Sequence, residues 1–122
     1  PPQSPIESAI RFEREVTQLV ASFGFPLRSP IGKKDTGYDF IIEAGDKKII
    51  IETKAWHRRP PLMILKQLAF RLRDALKDSQ ATQAILLMKD DIGLPPEYFE
   101  RFNVKIMSLK SFKEFLTYLK RG

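Results

Sequence analysis

Two acidic residues and a lysine stand where hydrolytic chemistry could use them. Gly37-Tyr38-Asp39 is followed, after twelve intervening residues, by Glu52-Thr53-Lys54. Hydrolysis of a phosphodiester needs a hard cation to neutralise charge on the phosphate and to lower the pKa of a bound water, and carboxylates supply its oxygen ligands. Asp39 and Glu52 fit that need, with Mg²⁺ as the expected ion and Mn²⁺ as its substitute. Lys54 lies two residues after Glu52 and so projects from the same face of an extended chain. A lysine there can orient a metal-bound water, accept its proton after a lowered pKa, or stabilise developing negative charge. A purely structural salt bridge among Glu52, Lys54 and Asp39 is the alternative.

Composition narrows the remaining chemistry. The chain has no cysteine and one histidine, His57, which excludes thiol nucleophiles, disulfides, Cys-based zinc sites and multi-His cages. Any metal site must be built from oxygen ligands. A formal charge of +6 and a sequence pI near 9.7 favour a polyanionic partner, with nucleic acid the natural candidate. Charge alone also serves solubility, so it supports a motif without replacing one. No apolar run reaches the ~20 residues needed to span a bilayer and no signal-peptide pattern opens the chain, so the expectation is a cytoplasmic protein with no membrane partner. The opening Pro-Pro-Gln-Ser-Pro lacks a methionine, which suggests a piece of a longer protein carrying other domains. Its 122 residues suit a single domain, 1–122.

The elements that must position these residues can be read from periodicity. Ser4 is a helix N-cap with Pro5 at the first helical position, and Gly24 closes the segment after Phe23. Ile6, Ala9, Ile10, Phe12, Val16, Leu19, Val20 and Phe23 form its apolar stripe, and Glu13 lies about 50° from the stripe's centre. Glu13 is therefore a carboxylate turned toward the interior. The turn-rich segment from Pro26 to Gly37 reads as a short strand and a loop. Tyr38 to Glu43 and Lys47 to Lys54 read as strands joined by Ala-Gly-Asp, with Asp39, Ile41 and Glu43 on one face of the first. Lys48, Ile50, Glu52 and Lys54 share a face of the second. Glu52 and Lys54 end a run of three isoleucines that marks a buried strand, where unpaired charges are expensive.

Pro60 and Pro61 open a second helix with a stripe of Leu62, Leu65, Leu68, Ala69, Leu72 and Leu76. Gln83 to Met88 is a buried strand, a helical turn lies around Pro95 to Phe102, and Val104 to Met107 adds a last strand. Ser111, with Glu114 three residues on, is the expected capping box of a C-terminal helix. A helix between strands favours an α/β fold, a mixed sheet covered by helices on both faces.

The residues Phe12-Glu13, Phe23-Gly24-Phe25, Gly37-Tyr38-Asp39 and Glu52-Thr53-Lys54-Ala55-Trp56 resemble the PD-(D/E)xK restriction-endonuclease-like nuclease superfamily, most of all its Mrr-type branch. The loop with Arg28, Ser29, Pro30 and Gly32 is equally similar to archaeal Holliday-junction resolvases. Tyr38 departs from the nominal proline, and the Mrr branch often carries glutamine where this chain has Glu52. The resemblance implies a restriction-endonuclease-like core in the order α-β-β-β-α-β-β-α, with Glu13, Asp39 and Glu52 as metal-site carboxylates and Lys54 as the catalytic lysine. It implies a Mg²⁺-dependent nuclease, an endonuclease on double-stranded DNA before RNA, and leaves a homodimer open. A catalytically inactive nuclease-like module for DNA binding or protein interaction is the alternative. Arg58 and Arg59, beside His57, are expected to contact phosphate together with Lys33 and Lys34, without reading sequence. Trp56 is a core or rim aromatic as readily as a stacking platform. Gln67 falls roughly where RecB-like nucleases of the superfamily carry a glutamine, but the apolar stripe of its helix points away from it.

Overall fold

The computed structural model describes residues 4–29 and 37–122. Its elements run α1 (Pro5–Ser22), β1 (Leu27–Arg28), β2 (Phe40–Ala44), β3 (Lys47–Lys54), α2 (Leu62–Ser79), β4 (Gln83–Met88), α3 (Glu97–Glu100), β5 (Val104–Ser108) and α4 (Leu109–Lys120). The five strands form one sheet in the order β1-β2-β3-β4-β5. The first three are antiparallel, and β3, β4 and β5 run parallel. The α/β class, the mixed sheet and the helices on both faces agree with the sequence reading. Lys33 and Lys34 lie outside the described residues.

The alternation of the strands sorts the core into two layers. Ile41, Ile50, Ala84, Leu86 and Met88 face α2, where Leu65, Leu68, Ala69, Leu72 and Ala75 meet them. Phe40, Ile42, Ile49, Ile51, Ile85 and Leu87 face Phe12, Val16 and Val20 of α1 and Phe112, Leu116 and Leu119 of α4. The central strand β3 is thus covered on both sides, which is why its isoleucines form an unbroken run rather than an alternating one.

Local signals account for the element ends. Ser4 Oγ accepts the Glu7 N–H at 3.1 Å, as an N-cap should. Gly24 follows the helix at φ +82°, a conformation that favours glycine. Two expectations need correction. The last helix begins at Leu109, two residues before Ser111, because Ser108 leaves β5 in an extended conformation and its hydroxyl accepts the Ser111 N–H at 3.3 Å. The apolar stripe of α1 is also only partly used, since Ile6 and Ile10 are 72% and 47% exposed. These residues belong to the first turns of the helix, where neighbouring Pro5, Ser8 and Ala9 border a cleft instead of the core.

Candidate active site

The hairpin register brings the two motif carboxylates together. Phe40 pairs with Ile51, which puts Asp39 opposite Glu52 at the end of the sheet. Asp39 precedes β2 by one residue, yet its N–H donates to the Ile51 carbonyl at 2.8 Å and extends the ladder. The preceding Gly37 makes this entry possible. It is buried at φ +82°, and a β-carbon there would stand 3.3 Å from Ala75 Cβ and 3.5 Å from Arg71 Cγ of α2. Only a glycine combines that backbone conformation with so close an approach to the helix.

The Asp39 carboxylate is fixed from below. Its Oδ2 accepts hydrogen bonds from the Thr53 N–H at 2.8 Å and from Thr53 Oγ1 at 2.9 Å. Glu52, 5% exposed, is the one polar or charged residue in the buried set among the described residues. Its Oε2 accepts a hydrogen bond from Arg71 Nη2 at 2.7 Å and lies 3.5 Å from Lys54 Nζ. Glu13 approaches from α1 and interacts with the same Asp39 carboxyl. A cleft of about 560 Å³ brings Glu13, Asp39, Glu52, Lys54, Trp56 and Arg58 to one surface. Lys54 Nζ also sits 5.7 Å from the centre of the Trp56 ring, within cation–π range.

Crowded carboxyls in a half-closed site should hold protons too tightly, and two of them do. Burial pushes the Glu52 carboxyl up to about 8, with a hydrogen bond to Asp39 and the Asp39 charge acting in the same direction, while Lys54 and Arg71 pull it back. Burial, then the Asp39 charge and a hydrogen bond to Asp39, raise Glu13 above the usual carboxylate range. A group of oxygens that resists ionisation in isolation is one that a divalent cation would relieve, because the ion supplies the missing positive charge. The donor set therefore fits a hard cation. Among the described residues, no group of three or more His, Cys, Asp or Glu side chains is already arranged to hold a metal ion. The carboxylates converge on the cleft without closing around a single point.

Other expected site residues divide. His57 and Arg58 line the cleft. Arg59 does not, because its guanidinium donates to the Gly93 carbonyl in the loop after β4, and its first role is to tie that loop to the segment after β3. Gln67 is exposed on α2 and contributes nothing to the cleft.

Two residues escaped the sequence reading. Thr53 occupies the middle of the Glu-Thr-Lys motif and anchors Asp39, a role its place opposite the hairpin partner could have signalled. Arg71 reaches Glu52 from a separate helix. It lies about 120° from the centre of the α2 apolar stripe, a wheel position shared by ordinary solvated residues. No family model matches the sequence, and no curated protein matches it. The resemblance to restriction-endonuclease-like nucleases rests on the motif and on the order of the elements that carry it.

Proposed function

We propose that this chain is a Mg²⁺-dependent nuclease domain with a restriction-endonuclease-like core, hydrolysing phosphodiester bonds of double-stranded DNA, with Mn²⁺ able to substitute. The observation that carries this reading is the meeting of Asp39, Glu52 and Lys54 with Glu13 in one cleft. Asp39 and Glu52 would hold the ion, with Glu13 contributing from α1. The ion would supply charge neutralisation at the phosphate and a water of lowered pKa. Thr53 keeps Asp39 in one orientation by two hydrogen bonds. Lys54 presents its ammonium beside Glu52, where negative charge would build up on a phosphate bound in the cleft. Arg58 borders the cleft and suits a phosphate of the duplex backbone.

A second reading has its own support. Glu52 Oε2 already lies 2.7 Å from Arg71 Nη2 and 3.5 Å from Lys54 Nζ, as in a structural network. A nuclease-like module that binds DNA or protein without cleaving would keep such pairs. Incubation with supercoiled plasmid and linear DNA, with and without Mg²⁺ and Mn²⁺, separates the two. Cleavage that needs the ion and is lost in Asp39→Ala supports the nuclease, and DNA binding by a folded protein that never cleaves supports the module.

The basic rim has a separate expected result. Duplex affinity should fall with rising salt, and Arg58→Ala should reduce the log-log salt slope by about 0.9, the amount for one lost phosphate contact. Binding measured by fluorescence anisotropy across a salt series checks this. An unchanged slope would remove Arg58 from the interface.

A further inference from the structure

Arg71 contacts Glu52 yet does not line the cleft. Its guanidinium makes the shorter of the two contacts to Glu52 Oε2, 2.7 Å against 3.5 Å for Lys54 Nζ. Lys54 borders the cleft and Arg71 does not, so the guanidinium reaches the carboxylate from the α2 side. Gly37 leaves room for its stem, because a β-carbon there would stand 3.5 Å from Arg71 Cγ and 3.6 Å from the Arg71 carbonyl oxygen. The same glycine thus admits the chain to Asp39 without crowding Arg71.

We propose that Arg71 is a positioning residue of the candidate metal site, fixing the Glu52 carboxylate from outside the cleft so that it faces a divalent cation beside Asp39. The inference rests on reading the site as a cation-binding one. Groups that hydrogen-bond to metal-ligating carboxylates orient the ligands, and their loss commonly weakens metal affinity by about 10-fold to 100-fold. Arginine suits the task better than lysine because its planar fork directs the hydrogen bond, whereas an ammonium acts as a point charge. A positive charge near a cation also repels it, and the orientation Arg71 gives the Glu52 carboxylate must outweigh that repulsion.

Calorimetric titration of the full chain with Mn²⁺ tests it without any cleavage reading, comparing wild type, Arg71→Met, Arg71→Lys and Asp39→Ala, each checked by thermal melting. Arg71→Met should bind Mn²⁺ about 10-fold to 100-fold more weakly, and Arg71→Lys should recover part of the loss. Mn²⁺ affinity in Arg71→Met equal to or tighter than wild type, whatever happens to its melting temperature, overturns the positioning role. If Arg71→Met does not fold, Arg71→Lys decides alone, and wild-type affinity in that variant overturns the inference. Wild-type protein that binds no Mn²⁺ overturns the reading of the site itself, a result distinct from variants that bind as well as wild type.

Discussion

Lys54→Ala is expected to cut the single-turnover cleavage rate by roughly 100-fold to 1000-fold while leaving Mg²⁺ binding and DNA affinity near wild type. A positive charge beside the scissile phosphate favours the transition state over the ground state, and preorganised groups of this kind are worth about 2.7 to 4 kcal/mol. The structure sharpens the expectation on the side of stability. Removing one partner of a buried ion pair ordinarily costs about 3 to 5 kcal/mol because a charge is stranded. Here Arg71 remains 2.7 Å from Glu52 after Lys54 is gone and the raised Glu52 carboxyl can keep its proton, so no charge is stranded and the melting temperature should move little. Lys54→Met, which keeps the stem and its packing near Trp56, should behave alike. A large fall in melting temperature combined with normal cleavage by the folded fraction would make Lys54 a structural residue.

The second large effect concerns pH and needs no substrate. Without a divalent cation, Glu52 has a carboxyl pKa of about 8 in the folded protein against 4.5 for the ordinary group. Below pH ~4.5 both states are protonated and no penalty exists. Between 4.5 and 8 the unfolded chain gives up the proton that the folded chain retains, so stability falls as pH rises. Above 8 the penalty is complete, on the order of 5 kcal/mol at most. Glu52→Gln imitates the protonated carboxyl. The variant should therefore match wild type near pH 5 and be clearly more stable at pH 8 in chelator, as thermal melting would show. A difference between the two proteins that does not grow with pH would contradict the buried-carboxyl account.

Much of the fold was legible because its signals are local. The Ser4 cap, the isoleucine run of β3, the hairpin and the α2 stripe from Leu65 onward each follow from residue type and period, and each carries its own physical cause, whereas Leu62, predicted to begin that stripe, is 48% exposed. Asp39 and Glu52 could be paired from the hairpin alone, since a short turn fixes the register of its strands. The remaining features depend on which surfaces meet. Ile6 and Ile10 carry the period of a buried stripe, but the helix runs past its cover, and periodicity contains no information about where cover ends. Ser111 and Glu114 satisfy the pattern of a capping box, yet Ser108 comes first and takes the role. Arg59 is as basic as Arg58 on paper, and only the fold brings the Gly93 carbonyl to it. Arg71 is the clearest case, because its partner lies 19 residues away on another element and its wheel position marks nothing.

The central claim, that the Asp39, Glu52 and Glu13 carboxylates form a divalent-cation site, is tested most directly by counting protons released on ion binding. Titration of wild-type protein with Mn²⁺ at pH 7, repeated in two buffers of different ionisation heat, yields that count. With Glu52 titrating at about 8, most of the metal-free protein carries the Glu52 proton at pH 7, and the ligand must lose it to bind. The account predicts about one proton released per ion in the wild type, much less in Glu52→Gln, and greatly weakened binding in Asp39→Ala. Mn²⁺ binding that releases no proton and is indifferent to Asp39→Ala would contradict it.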